Sequence, residues 1–190
     1  GFCPSFVTVH GAEPRRPDAA QLPAELFSGL GEPARNLREH VSMLVTGIGG
    51  TGVVTIGAVL AMAAHIDGLT VNVFDMTGLA QKGGAVFSHI KFARGPAATP
   101  APRVGPLSAD VVLGGDLVVT ASADAMRCVA PGTTRVVVNT HLVPPGSFQL
   151  QPDAEFDTVR LRTGIEAVAT TGCVRALDAT HAARVLLGDA

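Results

Sequence analysis

The chain has 190 residues, 47% of them apolar and 16% charged, with a formal net charge of −2 and a mean hydropathy of +0.36. Lys and Arg total 14, aromatic residues make up 4%, and no basic run occurs, so the cationic stripe or stacking rings of a nucleic-acid groove are missing. No apolar run reaches the roughly 20 residues of a membrane helix. The start Gly1-Phe2-Cys3-Pro4 lacks the basic and apolar regions of a signal peptide. The widely spaced Cys3, Cys128 and Cys173 make no disulfide framework, and the expectation is a reducing, cytoplasmic compartment. The apolar surplus predicts either an Ala/Val-rich core or a surface meant for other domains.

Residues 1–40 are punctuated by Pro4, Pro14, Pro17, Pro23 and Pro33 and are expected to form an extended arm or linker. Regular structure is expected over 41–190. Ser42–Thr46 is a short apolar run that predicts a buried parallel strand. After a glycine-rich turn, Val53–Ile66 has helical length and stops at Asp67-Gly68. Thr70–Phe74 predicts a second strand and Asp75–Gly84 a loop. Ala85–Ala93 alternates as a third strand, with Val86, Ser88, Ile90 and Phe92 on one side and Phe87, His89 and Lys91 on the other. Arg94–Gly105 is a loop. Asp110–Leu113 predicts a strand, Leu117–Cys128 a helix and Arg135–Asn139 a strand. Phe148–Arg162 is ambiguous, and Ala176–Asp178 and Thr180–Leu187 predict a last strand and helix. Strands alternating with helices imply an α/β fold: a doubly wound, mainly parallel sheet with helices on both faces. The chain stops at Gly188-Asp189-Ala190 inside a helical pattern with no capping signal, which suggests a piece of a longer polypeptide.

Gly47-Ile48-Gly49-Gly50-Thr51-Gly52 fits G-x-G-x-x-G between a strand and a helix, the context that gives this pattern meaning. Gly47 would permit the tight turn, Gly49 the close approach of a ligand phosphate, and Gly52 close packing of helix on strand. Free N–H groups at the helix start would favour an anion. Asp75 falls where a ribose-binding acid is expected, and it would also serve as a helix or turn cap. The glycines would equally serve packing alone. Asp116 reads as a helix N-cap, His89 as structural or exposed, His141 as a weak site candidate, and Cys128 and Cys173 as buried thiols.

Three stretches resemble one family. GIGGTGVVTIGAVLAMAAH (Gly47–His65), FDMTGLAQKGGAVFSHIKFA (Phe74–Ala93) and GFCPSFVTV (Gly1–Val9) are similar to the large fused indolepyruvate ferredoxin oxidoreductases, as is the ending DATHAARVLLGDA. The resemblance implies the domain equivalent to the gamma subunit of 2-oxoacid:ferredoxin oxidoreductases. Such enzymes decarboxylate an aryl pyruvate on thiamine diphosphate, pass electrons through 4Fe–4S clusters to ferredoxin, and release an acyl-CoA. It implies that thiamine-binding and iron–sulfur domains complete the enzyme, and that residues 1–40 follow an iron–sulfur region. It also implies that the loop Thr77–Gly84, with Lys82, Gly83 and Gly84, faces the thiamine or CoA region beside the glycine turn. The bland alternative for Lys82 is a solvated side chain on a surface loop.

The sequence departs from the full family pattern in two places. It has no acidic G-D-G segment with paired asparagines for thiamine. Cys3-Pro4 resembles only the end of the ferredoxin run C-x₂-C-x₂-C-x₃-C-P, so Cys3 is a cluster-ligand candidate whose partners would precede Gly1. Two other functions remain open at this point. One is an independent NAD-dependent oxidoreductase, although the chain has no tyrosine for a Tyr-Lys pair. The other is a non-catalytic assembly module. An adenylating enzyme shares the glycine pattern, but its ATP-binding arginine and acidic pair cannot be placed.

Overall fold

The computed structural model describes residues 10–11, 38–78, 83–95, 101–142 and 157–187. Most of the expected arm, with Cys3, and the loop tip carrying Lys82 lie outside the described residues. The elements are β1 (His40–Ile48), α1 (Val53–Ile66), β2 (Thr70–Thr77), β3 (Ala85–Ala93), β4 (Val111–Gly114), α2 (Leu117–Thr120), α3 (Ala123–Met126), β5 (Arg135–Asn139), α4 (Thr158–Ala169), β6 (Val174–Leu177) and α5 (Ala179–Leu187).

The six strands form one sheet in the order β2-β3-β1-β4-β5-β6. β1, β4, β5 and β6 run parallel, and β3 runs antiparallel to both β1 and β2. The expected mainly parallel α/β sheet is therefore present, with one reversed strand. That reversal has a local cause. β2 and β3 are joined by the short Gly78–Gly84 connection, which can close a hairpin but cannot make a parallel crossover.

Alternation along β3 assigns each side chain to a face, as the sequence predicted. Val86, Ile90 and Phe92 join Val45, Val53 and Ala64 in a core under α1. On the opposite face, Leu44, Val112, Val136, Val138 and Val174 pack with Leu117 of α2, Ala125 of α3, Val129 just after α3 and Ile165 of α4. Helix α1 carries no Lys, Arg, Asp or Glu, and its outer side exposes Val59 (62%), Met62 (60%) and Ile66 (76%). A helix apolar all round is built to be covered on more than one side.

Several elements differ from expectation. β2 continues three residues past Phe74, so Asp75 lies inside the strand. The helix expected over Leu117–Cys128 is two single turns. Asp116 caps the first by accepting from Val119 N at 2.9 Å, and Ser122 caps the second by accepting from Ala125 N. Ser and Thr side chains that bond the local backbone compete with a continuous helix in this way. In the ambiguous region, Thr158–Ala169 is a helix capped by Asp157.

Candidate functional site

The carboxyl ends of β1, β4, β5 and β6 share one edge of the sheet. Chain order reverses between β1 and β4: from β1 the chain moves to β2 and β3 on one side, and from β4 to β5 and β6 on the other. A crevice at such a reversal is where open α/β sheets bind ligands. Two glycine-rich turns meet there, Gly47–Gly52 after β1 and Gly114–Asp116 after β4. Gly115 N donates to Thr46 O at 2.7 Å and ties them together.

The first turn is closed by its own threonine. Thr51 N and Oγ1 both donate to Ile48 O, at 3.0 and 2.6 Å. Gly50 and Gly52 have φ of 98° and 81°, the left-handed region that disfavours any side chain. The structure redistributes the expected glycine roles. Close helix–strand packing requires Gly47, where an added Cβ would sit 2.6 Å from Val53 Cγ2, whereas the space beside Gly52 is open. Gly57, inside α1, faces Ser88 so closely that a Cβ there would meet Ser88 Oγ at 2.6 Å.

Helix α1 begins without a side-chain cap, and its first backbone bond is Ile56 N–H to Gly52 O at 2.9 Å. The N–H groups of Val53, Val54 and Thr55 precede that bond and are oriented to receive an anion. The residues that carry them line a cavity of about 280 Å³ together with Ile48, Gly50, Gly52 and Val86.

Gly49 approaches the hairpin loop rather than this cavity: its N–H donates to Gly84 O at 2.8 Å. The structure thus brings the glycine turn and the Gly83-Gly84 end of the second motif together. Lys82, the residue before Gly83, lies outside the described residues.

Asp75 has a different neighbour from the one expected. β3 lies between β2 and β1, which puts Asp75 two strand spacings, about 10 Å, from β1. It pairs with Ser88, which pairs with Val45, two residues before the turn. Its Oδ1 points beneath α1, 3.9 Å from where a Gly57 Cβ would be.

Two residues from later in the chain reach this edge: Asp116, the N-cap that the sequence predicted, and Asn139, whose role the sequence left unassigned. Asp116 is fully buried, with Oδ1 on Val119 N and Oδ2 without a hydrogen-bond partner, 3.8 Å from where a Gly47 Cβ would be. Burial pushes its carboxyl up from the usual range, opposed by the N–H groups of Val119, Val118 and Ile48. Asn139 links three segments: Nδ2 donates to Gly115 O and Thr180 Oγ1, and Oδ1 accepts from His141 N and Ala179 N. An asparagine at the end of an apolar strand is the only sequence signal it carries.

His89 sits on the opposite sheet face, 3% exposed, with Nδ1 accepting from Val104 N at 3.2 Å. Burial first, then the charges of Arg103 and Lys91, lower its pKa from 6.5 to about 4, while Asp75 raises it. Between those values the unfolded chain holds the extra proton. Stability is therefore full above pH 6.5 and is lost as pH falls toward 4, by about 3 kcal/mol. His89→Gln, which keeps an acceptor for Val104, is expected to flatten that loss. Urea midpoints at pH 7 and pH 4.5 measure it, and equal pH slopes in both proteins would count against this origin.

Cys128 and Cys173 are buried free thiols, as expected. Among the described residues no three His, Cys, Asp or Glu side chains gather into a metal site. No helix among them is long and apolar enough to cross a membrane.

Residues 42–187 match the family model described as pyruvate ferredoxin/flavodoxin oxidoreductase. The chain is 31% identical over 109 residues to indolepyruvate oxidoreductase subunit IorB of Archaeoglobus fulgidus, a match covering 56% of this chain and 50% of that protein. It spans about half the length of that curated relative. Two solved structures share the fold at 19% identity. One is pyruvate oxidoreductase subunit PORC of Thermotoga maritima, with a TM-score of 0.51 over 78% of this chain and 67% of that one. The other is 2-oxoglutarate:ferredoxin oxidoreductase of Magnetococcus marinus, solved with 2-oxoglutarate, coenzyme A and succinyl-CoA bound, with a TM-score of 0.53 over 78% of this chain and 22% of that one. With more than half of its length matched by the family model, the chain belongs to the pyruvate ferredoxin/flavodoxin oxidoreductase family.

Proposed function

We propose that this chain is the gamma-like domain of a 2-oxoacid:ferredoxin oxidoreductase acting on an aryl pyruvate such as indolepyruvate, and that it forms one wall of a shared active centre. In the complete enzyme, thiamine diphosphate would supply the carbanion chemistry, and 4Fe–4S clusters would pass electrons to ferredoxin. The described residues do not fit either group. No three metal-ligating side chains gather, and Asn139 is committed to backbone and Thr180 contacts. Those groups belong to partner domains in this reading, and no step on them falls to this chain.

What this chain's residues would do is narrower. The open amides of Val53, Val54 and Thr55 would hold a phosphate of CoA, with the helix dipole adding attraction. Lys82 would add a positive charge from the neighbouring loop, and Gly83-Gly84 would let the backbone approach the acyl acceptor. The bond from Gly49 N to Gly84 O carries this reading, because it makes the two family motifs one edge. The indolepyruvate relative supports the substrate class, and the apolar outer stripe of α1 supports a covering domain. The dinucleotide reading lacks its ribose acid, since Asp75 lies beneath Gly57.

Lys82→Ala in the complete enzyme tests the proposal. The expected result is CoA affinity weaker by about tenfold, the loss of one charge-assisted contact. Turnover should fall with it, and the melting temperature should stay within about 1 °C. Unchanged CoA affinity and turnover would remove the loop from the site.

A further inference from the structure

The sheet carries a second cavity, away from the glycine turn. On the face opposite α1, helices α2 to α4 cover β4, β5 and β6. No helix among the described residues covers β2 and β3 there. The loop around Arg103–Pro106 and the end of α3 roof that side instead, and they enclose about 230 Å³.

The lining divides by chemistry. Met76 and Phe87, a cross-strand pair, form an apolar floor. Sulfur and ring faces of this kind favour a flat or branched apolar body. His89 stands beside them. Its Nδ1 accepts from Val104 N, so in the neutral ring the proton is on Nε2, which is then a donor. Arg103 lines the mouth, exposed and without an ion-pair partner among the described residues. Arg127 is also at the mouth, with Nη2 on Asp124 Oδ1 at 3.3 Å. That pair is exposed and weak, so the guanidinium remains available to a ligand. Two guanidinium groups and one carboxylate, that of Asp124, therefore line a cavity whose remaining surface is mostly apolar.

We propose that this cavity is a binding site for a small organic monocarboxylate with an apolar body, separate from the anion site at the start of α1. A guanidinium fork matches a carboxylate in two parallel hydrogen bonds. The apolar floor discriminates against bare inorganic anions, which would gain nothing from it. The volume lies below the range for drug-sized ligands and suits a small acid. This inference does not depend on the proposed function and would stand if that reading failed.

Phenylacetate is the probe, titrated into the full chain with backbone amide and methionine methyl resonances observed by NMR. Saturable shifts are expected at Met76, Val104 and Gly105, with the amides of Gly50–Thr55 unmoved. Arg103→Gln, a substitution at an exposed position that should leave folding intact, is expected to weaken binding at least about tenfold, the loss of a charge-assisted pair. Phenylethanol and inorganic phosphate, which keep only the body or only the charge, should each bind at least about tenfold more weakly than phenylacetate. Equal affinity in the Arg103→Gln protein would overturn the proposal. So would shifts centred on Gly50–Thr55, phosphate binding as tightly as phenylacetate, or no saturation at millimolar probe.

Discussion

Replacing Gly114 by alanine is expected to cost about 3 kcal/mol of stability, the upper part of the usual range for forcing atoms into a filled core. Gly114 ends β4, and a Cβ there would overlap Thr120 Oγ1 and lie 2.9 Å from Val138 Cγ2 and 3.0 Å from Thr120 Cγ2. Neither neighbour can yield easily. Both are buried β-branched side chains with stiff χ1. Thr120 is also fixed by hydrogen bonds: its hydroxyl donates to Asp116 O, so the 2.9 Å contact with Thr46 Oγ1 must use the Thr46 proton. A shift of Thr120 would disturb the link between β1 and the turn after β4. Thr120→Ala should relieve part of the clash while losing those bonds. The double variant should then be more stable than the sum of the two single losses predicts, by about 1 kcal/mol. Urea unfolding of the four proteins gives the coupling; strict additivity would show that Gly114 is not limited by Thr120.

This contact illustrates what the sequence exposes and what it hides. Val53–Ile66, Ala85–Ala93 and Arg135–Asn139 were legible to the residue, because local signals coincide: a 14-residue apolar stretch closed by Asp-Gly, strict alternation along β3, and an apolar run between turns. Helix α4 was hidden. Its core contacts Leu161, Ile165 and Ala169 recur every four residues behind an Asp157 cap, but Gly164 and several charges dilute the pattern. The single helix expected over Leu117–Cys128 failed for a different reason: its cap at Asp116 was legible, but the second cap at Ser122, which splits it, is visible only as a common polar residue until the backbone is seen.

The site divides along the same line. The glycine turn and its helix could be located from spacing, because phosphate cradles need small residues at fixed offsets. Strand order is a long-range property that local spacing does not encode. That is why Asp75 was expected near the turn, while the reversed β3 puts it two strands away. Asp116 and Asn139 come from segments 60 to 90 residues further along the chain, and only sheet assembly brings them to the same edge.

The meeting of Gly49 with Gly84 is also a product of assembly, and it leads to the largest functional effect expected here. At Gly49 an added Cβ would lie 3.4 Å from Gly84 O and 3.8 Å from both Gly84 N and Val86 Cγ2. A single methyl can be admitted by a displacement of a few tenths of an ångström. The two γ-methyl groups of valine cannot enter without pushing the hairpin loop off the turn and breaking the bond from Gly49 N to Gly84 O. Gly49→Ala is therefore expected to reduce turnover of the complete enzyme only a few-fold, and Gly49→Val by about a hundredfold, the penalty typical of an ångström-scale displacement of positioning groups. The stability cost should be much smaller, about 1 kcal/mol, because Gly49 is exposed and Gly84 only half-buried. Comparing turnover with thermal unfolding across glycine, alanine and valine separates the two effects. A valine variant that unfolds in proportion to its lost activity, or that keeps full activity, would show that apposition of the two loops is not what the reaction requires.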